Sequence, residues 1–442
     1  MIAADEQPLA SPIANDNDKA CVLHVLDHSF PVLSGYAVRS RNLISAQHRL
    51  GESIRVLTGP LHEIDDPSST EVELDGVSYA RTPVLGKFAN SALRARWPLV
   101  REFEVVRLLR ERILKLITLH PARLIYAHSP ALCGLAALQA ARRSGLPFVY
   151  EIRAFWEDAA ADQKRASIGS LRSRLTRQLE TYVAKNADAV GAIATPMLTD
   201  LQARGIPREK LFHVPNGVDA ARFVPREKDE ALKKQLGLGD SPVFSFFGSL
   251  YHYEGISWMI RAAAALRARG HQFDILIIGR GEDQAAINEA VRECDASKYV
   301  HTIDYVPHDQ IQRYYSVTDI AVYPRRSIRL TELVTPLKPL EAMALKIPVL
   351  GSGVGGIREL IENENTGLLF QPEDVSDFCR QAERLILSPA LRKSLGEHGR
   401  EFVLREKNWN TLAQRYSSIY QFALSSKSQR SQRDNAVRTQ SW

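Results

Sequence analysis

The stretch "EAMALKIPVLGSGVGGIRELI", residues 341–361, joins the end of an amphipathic helix to an apolar strand and then to a second helix. The strand is predicted over 347–352, and Gly353, Gly355 and Gly356 separate it from the helix that follows. Glycines before a helix let backbone N–H groups approach an anion, and the helix N-terminus favours phosphate. A tight turn is the competing explanation. The order of strand, glycines and helix favours a phosphate-binding turn in a parallel α/β domain.

Short apolar runs alternate with helical patterns along the rest of the chain. In the first half, strands are predicted at 21–27, 53–58, 123–128, 147–152 and 187–194, and helices at 35–51, 99–119, 131–144 and 168–186. The pattern restarts after "KLFHVPNGVD", with strands at 242–248, 273–279, 299–306, 319–324, 347–352 and 366–370. This alternation predicts an α/β protein with two doubly wound domains, each a parallel sheet covered by helices. Such domains bind ligands at the carboxyl ends of their strands, so the cleft between them is the predicted site.

The predicted boundaries divide the chain into five segments. A polar lead, 1–20, is expected to be disordered, and it lacks the pattern of a secretion signal. The first domain spans 21–212 and the second spans 213–407. A helix at 408–424 has an apolar face, which predicts that it packs back on the first domain. The tail, 425–442, is expected to be disordered because it is too polar to pack.

Positive charge is concentrated in two parts of this 442-residue chain, whose formal net charge is +6. Segment 86–115 has eight Lys or Arg against three Glu, and 164–177 has five and no acid. A basic surplus suggests an anionic partner: nucleic acid, an acidic membrane or a phosphorylated substrate. The two segments are therefore either ordinary solvated helix faces or a partly apolar surface that rests on anionic lipid headgroups.

Other sequence features narrow the class of protein. No window of 18 apolar residues occurs, so no transmembrane helix is predicted. The four cysteines lie far apart and match no metal-binding spacing, which favours reduced thiols in the cytoplasm. The fingerprint G-x-G-x-x-G follows neither the strand at 21–27 nor that at 273–279, which weighs against an NAD-dependent enzyme.

Candidate site residues lie at or after the ends of three strands of the first domain. Gly35 opens a helix after the first strand, where a phosphate site and a plain helix cap are both reasonable. His128 ends the third strand; a lone histidine is more often structural, but this position would face the cleft. The next strand, 147–152, runs into a polar and aromatic group that includes Glu151 and Arg153 and suits sugar hydroxyls. An ordinary surface loop explains that last group nearly as well.

The strand at 319–324 runs into "RRSIRLTELVTPLKPLEAMAL". This passage places an unusually large number of charged residues next to an apolar helix. This passage contains four cations and two carboxylates: Arg325, Arg326, Arg329, Lys338, Glu332 and Glu341. Basic side chains at a cleft can neutralise a diphosphate, and Glu341, near a helix start, can accept hydrogen bonds from the vicinal hydroxyls of a ribose. Stabilising a departing diphosphate is mainly electrostatic work, so the passage indicates a nucleotide-binding site.

The chain resembles the retaining glycosyltransferases of GT-B fold, a large family that uses nucleotide sugars. The motifs that carry the resemblance, over residues 21–424, are "SGYAVR", "PNGVD", "EAMALKIPVLGSGVGGIRELI" and "TGLLF". "LDHSFPVLSGY", "YEIRAFWED" and "YPRRSIRLTELVTPLKPLEAMA" resemble a subgroup associated with exosortase, or PEP-CTERM, exopolysaccharide clusters of Gram-negative bacteria. The resemblance implies two Rossmann-like domains that face a central cleft.

The resemblance also implies a role for the candidate residues. Glu341 would hold the nucleotide ribose, and Glu332 would face the donor sugar. The loop at Gly35 and the glycines at 353–356 would hold the diphosphate. His128 would lie near the transferred sugar, and the group that follows the next strand would contact the sugar or the acceptor.

Two departures from the family pattern affect these roles. Eight residues, instead of the usual seven, separate Glu332 from Glu341. Ser249 and Glu254 stand where the family has Arg and Lys after the first strand of the second domain. Lys338 is the strongest candidate for the missing charge, because it lies one turn before Glu341 on the same helix face. The other candidates are Arg325, Arg326 and Arg329.

The expected reaction moves a sugar from a nucleoside-diphosphate sugar, such as a UDP-sugar, to a hydroxyl acceptor with retention of the anomeric configuration. Same-face substitution is expected, since no feature marks the carboxylate nucleophile of a double displacement. No Asp-x-Asp follows a strand and the fold generally works without a bound metal, so no metal or other cofactor is expected. The expected acceptor is a lipid-linked glycan in exopolysaccharide assembly. The enzyme would be cytoplasmic or peripheral on the inner face of the plasma membrane.

Three alternative functions stay open. An epimerase of the same fold would consume a nucleotide sugar without an acceptor. A non-catalytic sugar-nucleotide binder would agree with the two departures from the family pattern. A nucleic-acid-binding protein would agree with the basic charge, but the sequence has no recognition helix, aromatic RNP pattern or zinc spacing, so no nucleic-acid partner is expected.

Overall fold

The computed structural model describes residues 20–32, 34–62, 70–84, 93, 99–158, 170–304, 306–307 and 310–439. Most of the predicted lead and parts of both basic segments lie outside the described residues. Within them the chain forms two α/β domains, each built on a mostly parallel sheet, which confirms the predicted fold class.

The first sheet has eight strands in the order β3-β4-β2-β1-β5-β6-β7-β8. Its strands are β1 (Cys21–Leu26), β2 (Ile54–Thr58), β3 (Glu71–Leu74), β4 (Val77–Ala80), β5 (Ala122–His128), β6 (Phe148–Ile152), β7 (Ala189–Ala192) and β8 (Leu211–His213). Neighbouring strands pair in parallel, except that β3 pairs antiparallel with β4.

The hairpin of β3 and β4 is an element that the alternating pattern does not predict. Its turn is Asp75–Gly76, and both residues have positive φ, 52° and 79°. An Asp-Gly pair between two short runs is a strong hairpin signal, because the favoured two-residue turn requires positive φ at both positions. The signal is therefore present in the sequence.

The second sheet has six strands in the order β11-β10-β9-β12-β13-β14, all parallel. Its strands are β9 (Val243–Phe247), β10 (Asp274–Ile278), β11 (Val300–Ile303), β12 (Ile320–Tyr323), β13 (Val349–Ser352) and β14 (Leu368–Phe370). The strand order reverses beside β9, which is the kind of switch point where open sheets bind ligands.

Helices connect most of the strands and cover both sheets. In the first domain they are α1 (Gly35–Arg49), α2 (Val100–Leu119), α3 (Ala131–Ser144), α4 (Leu171–Asn186) and α5 (Thr195–Ala203). The remaining helices are α6 (Glu230–Gln235), α7 (Ile256–Ala268), α8 (Gln284–Glu293), α9 (Ile311–Tyr315), α10 (Arg329–Leu333), α11 (Lys338–Ala344), α12 (Gly355–Arg358), α13 (Val375–Leu387), α14 (Pro389–Glu406) and α15 (Trp409–Thr439). Among the described helices, none combines the length and the apolar content that crossing a bilayer requires.

The first sheet has an apolar cluster on each face. On β5, Ile125 packs with α2, α3 and α4, whereas Leu124 and Tyr126 face the other cluster, as the alternation of side chains along a strand requires. Trp409 and Tyr416 of α15 are buried in that second cluster. The last helix therefore packs on the first domain, although it follows the second domain in the chain.

The helix α15 also extends further than the sequence predicts. A disordered tail is expected from 425, but the helix continues to Thr439. Neither Gly nor Pro occurs between Trp409 and Thr439, so nothing in this segment breaks a helix once it has started. The polar composition of the tail therefore does not prevent helix formation.

Candidate active site

The two domains meet where the start of α1 faces the start of α11. A Cβ atom added to Gly35 would lie 3.8 Å from Leu337 Cδ1, so the two segments are nearly in contact. A small pocket opens beside this contact. It is lined by Val38, Asn42, Gly217, Val218, Asp219, Arg222, Phe223, Leu337 and Glu341. The structure therefore brings the Gly35 loop and Glu341 to the same gap between the domains.

Lys338 forms an ion pair with Glu341, which lines this pocket. Lys338 Nζ lies 2.9 Å from Glu341 Oε2, with the spacing of three residues that places both on one helix face. The hydroxyl of Tyr315 donates to the same carboxylate oxygen at 3.3 Å. Glu341 is buried, whereas Lys338 is partly exposed. The carboxylate is thus held in place, and the ammonium group keeps access to solvent.

Glu332 lies against the glycine-rich turn after β13. Its Oε2 atom accepts a hydrogen bond from the N–H of Gly355 at 2.7 Å, whereas the N–H of Gly353 donates to β14. Cβ atoms on Gly355 and Gly356 would each lie 2.2 Å from a backbone oxygen, of Glu332 and Val334 respectively. The glycines therefore permit close packing, and an N–H at the turn binds a carboxylate, which is itself an anion.

Arg325 does not offer a free charge to the pocket. Its guanidinium forms a two-pronged ion pair with Glu254, with Nη2 to Oε1 at 2.7 Å and Nε to Oε2 at 3.0 Å. Both side chains are buried. Glu254 stands where the family pattern has Lys. The carboxylate at this position pairs with Arg325, which a Lys could not do.

The other two arginines of the passage are also paired. Arg326 lies 2.9 Å from Glu373 within the second domain. Arg329 crosses to the first domain, with Nε 3.0 Å from Asp158 Oδ2 and Nη2 2.6 Å from Asp200 Oδ1. Arg329 therefore links the two domains, a role different from the one predicted for it at the diphosphate.

His128 lies inside the first domain and does not face the cleft as predicted. Its Nδ1 atom is 2.7 Å from Arg153 Nη2, and its Nε2 atom is 3.0 Å from His24 Nδ1. Burial and the neighbouring charge of Arg153 lower the pKa of His128 to about 4, so the ring is neutral at pH 7. The end of β5 is covered by these side chains, which removes His128 from contact with a ligand in the cleft.

Glu151 is the buried centre of the same group. Its Oε1 atom accepts from Arg153 Nε at 2.9 Å and from Arg39 at 3.3 Å, and its Oε2 atom accepts from the hydroxyls of Tyr126 and Tyr416 at 2.8 and 2.9 Å. Burial alone would raise the pKa of Glu151, but the two guanidinium groups hold that pKa well below its ordinary value. Glu151 and Arg153 are therefore structural ions here, not surface contacts for a sugar.

Arg39 connects this group to the second domain, although it is not among the site residues predicted from the sequence. It donates to the carbonyl of Val214 at 2.7 Å and to Asn216 Oδ1 at 2.8 Å. Asn216 in turn donates to the carbonyl of Thr335 at 2.7 Å. A signal for Arg39 was available, since it lies four residues before Leu43 on the buried face of α1.

Solved glycosyltransferases share the overall architecture. Sucrose-phosphate synthase from Thermosynechococcus elongatus is 21% identical, with a TM-score of 0.72 over 91% of this chain and 98% of that one. HepE from Anabaena, solved in complex with UDP-glucose, is 17% identical, with a TM-score of 0.68 over 90% and 98%. The fold is therefore GT-B, two Rossmann-like domains that face a central cleft.

Two family models match consecutive parts of the sequence. The glycosyl transferase 4-like domain matches residues 34–217, and the glycosyl transferases group 1 family matches residues 228–402. Both models describe glycosyltransferases and together they cover most of the chain, so the chain is a glycosyltransferase whose second half matches the group 1 family.

Curated relatives are glycosyltransferases as well. The 2-deoxystreptamine glucosyltransferase of Streptomyces kanamyceticus is 27% identical over 65% of this chain and 74% of its own length. A GDP-mannose-dependent phosphatidylinositol monomannoside mannosyltransferase of Mycolicibacterium smegmatis is 25% identical over 54% of this chain and 63% of its own length. The alignment thus spans less than two thirds of the second relative.

The buried position of Arg39 generates the first prediction. Arg39→Met is expected to lower the free energy of unfolding by about 3–5 kcal/mol, because it leaves buried acceptors without their donor. Arg41→Met is the matched control on the same helix, where a half-exposed pair with Asp75 contributes roughly 0–1 kcal/mol. Urea denaturation followed by circular dichroism measures both. Equal losses of unfolding free energy in the two variants would contradict the structural role assigned to Arg39.

Proposed function

We propose that the chain transfers a sugar from a nucleoside-diphosphate sugar to a hydroxyl group of an acceptor, with retention of the anomeric configuration. The observation that carries the proposal is the pair of Lys338 and Glu341 at the gap between the domains. A fixed carboxylate can accept hydrogen bonds from both ribose hydroxyls, and an adjacent ammonium group can offset the charge of the diphosphate. The glucosyl- and mannosyltransferases among the relatives support this class of donor.

In the proposed reaction the acceptor oxygen attacks the anomeric carbon from the face that the diphosphate leaves. The carbon–oxygen bond to the diphosphate breaks, and a phosphate oxygen takes the proton of the acceptor hydroxyl. Lys338 stabilises the negative charge that develops on the diphosphate, and electrostatic stabilisation of this kind is usually the largest single contribution to catalysis. Glu332, held against the glycine-rich turn, orients the donor sugar. We propose that no metal ion takes part.

Exclusion of water is the remaining requirement, since an unprotected donor would be hydrolysed. The cross-domain contacts support a closed arrangement. Arg329 reaches Asp158 and Asp200 from one side, and Glu359 of the second domain accepts a hydrogen bond from the N–H of Thr195 at 2.9 Å. We propose that these contacts form when the donor is covered.

The transfer itself is tested with a panel of UDP- and GDP-sugars and a membrane extract as acceptor. The bound donor, found by thermal shift, is expected to be transferred in the presence of EDTA, and proton NMR of the product is expected to show the anomeric configuration of the donor. A product with inverted configuration would rule out the same-face step. Consumption of the donor without any acceptor would indicate an epimerase instead.

The role of Lys338 gives a separate prediction. Lys338→Ala is expected to lower kcat by about two to three orders of magnitude, because it removes a charge that acts mainly in the transition state. Lys298→Ala, which removes an exposed lysine of the same domain, is the matched control and is expected to keep full activity. Near-normal turnover of Lys338→Ala, with the fold intact by circular dichroism, would end this assignment.

We further propose that the acceptor is lipid-linked and that the enzyme meets it at an anionic membrane. The helices α2 and α4 both pack on α3 and end just before β5 and β7. Their N-termini therefore lie at the cleft edge of the first sheet. This rim exposes apolar and basic side chains together: Leu99, Phe103, Leu171, Leu175, Arg101, Arg172, Arg174 and Arg177. Such a combination suits a surface of anionic lipid.

Sedimentation with phosphatidylglycerol vesicles tests the rim. Phe103 and Leu171 are 70% and 74% exposed, so the double change Phe103→Ser with Leu171→Ser is expected to weaken binding at least about tenfold through loss of buried apolar area. Leu387→Ser with Leu404→Ser removes two exposed leucines of the second domain and is the matched control. Unchanged binding by the rim variant would place the membrane contact elsewhere.

A further inference from the structure

A second cavity, of about 210 Å³, opens in the second domain. Its lining includes Thr318 and Asp319, directly before β12, and residues 345–348, directly before β13. These are the amino ends of parallel strands, whereas the substrates of such sheets bind at the carboxyl ends. The cavity is therefore separate from the proposed donor site.

Positive charge converges on this cavity. Five basic side chains line it: Arg226, Lys228, Lys346, Arg392 and Lys393. Lys228 is paired with Asp319, 2.6 Å away. Arg226, Lys346 and Lys393 have no carboxylate partner among the residues that the structure describes. Like charges around one concavity repel each other, and a bound anion would relieve that repulsion.

Gln312 adds a polar group to the lining. Its Nε2 atom donates to the carbonyl of Arg222 at 2.8 Å, but its Oε1 atom is buried without a hydrogen-bond partner. Gln312 as a whole is only 8% exposed. A buried acceptor of this kind is normally satisfied, and a hydroxyl of a ligand would satisfy it. The cavity thus offers cations for an anionic group and an acceptor for a hydroxyl group.

We propose that this cavity binds a small phosphorylated polyol, of the class of the sugar phosphates. The phosphate group lies among Arg226, Lys346 and Lys393, and a hydroxyl group donates to Gln312. A sugar phosphate suits the volume, which is below the roughly 300–1,000 Å³ of pockets for larger ligands. None of the described residues that line the cavity is an exposed large apolar side chain of the kind that enters a membrane, which favours a free ligand over a lipid headgroup.

The short helix α9 connects this cavity to the cleft. Tyr315 lines the cavity, and its hydroxyl donates to Glu341 in the cleft. Gln312, from the same helix, holds the backbone of Arg222, which lines the pocket beside Glu341. A ligand that fixes α9 would therefore change how Glu341 is held. We expect the sugar phosphate and the nucleotide to alter each other's affinity by the same factor. This coupling rests on the proposed function, whereas the binding of the sugar phosphate to the cavity does not.

The binding test uses the full chain, without donor or acceptor, and titrates glucose 6-phosphate and inorganic phosphate by calorimetry. The wild-type protein is expected to bind glucose 6-phosphate more tightly than phosphate, and Arg226→Glu with Lys393→Glu is expected to weaken both at least tenfold. Lys234→Glu with Lys298→Glu makes the same change of charge on exposed lysines outside the cavity and is expected to bind normally. Failure of the wild-type protein to bind, or equal loss in both variants, would overturn the proposal.

Two further measurements test whether the ligand is a lipid headgroup and whether the cavity is coupled to the cleft. If phosphatidylglycerol vesicles bind through Arg226 and Lys393 while glucose 6-phosphate does not bind, a lipid headgroup is the ligand and the proposal is wrong. For the coupling, the affinity for UDP or GDP, whichever binds, is measured with and without glucose 6-phosphate. Tyr315→Phe, which removes the hydroxyl that donates to Glu341, is expected to abolish that difference. Because the binding test needs no sugar transfer, its failure and that of the proposed reaction are independent.

Discussion

The buried guanidinium of Arg39 explains how separate parts of this chain are held together. Its partners come from β6 (Glu151), from the junction between the domains (Val214 and Asn216) and from α15 (Tyr416). Each of these groups is buried, and removing one partner from a buried ion pair costs about 3–5 kcal/mol. The first domain is therefore complete only when the junction and the last helix are in place.

The same group of contacts fixes the relation between the domains. Asn216, bound to Arg39, holds the carbonyl of Thr335, and Thr335 lies between Glu332 and Lys338 in the sequence. The loop that carries the candidate donor residues is thus tied to the core of the opposite domain. Arg329 adds a second link across the gap. A change in the junction would therefore reach the cleft without touching any residue that faces a ligand.

The sequence predicts the fold far better than it predicts the site. The alternation of apolar runs with helical patterns is enough to predict two parallel sheets, because a buried strand can be recognised from the apolar residues within it. His128 and Glu151 also end strands, but their partners lie elsewhere in the chain, and only the folded structure shows that they are enclosed. The same holds for Arg325, whose carboxylate partner is 71 residues away, and for Arg329, whose two carboxylate partners are 171 and 129 residues away. Periodicity carries no information about such distant pairs.

The pair of Arg325 and Glu254 has a consequence for the electrostatics of the cleft. A Lys at 254, as in the family pattern, would lie beside Arg325 and repel it, whereas Glu254 neutralises it. The two positions together therefore contribute no net charge, and the carboxylate of Glu254 is fully used by its partner. Since Arg326 and Arg329 are also paired, Lys338 is the one of the four cations in this passage that the proposed function leaves for the diphosphate, and it is itself shared with Glu341. A donor that draws Glu341 to its ribose would release that ammonium group at the moment when its charge is needed.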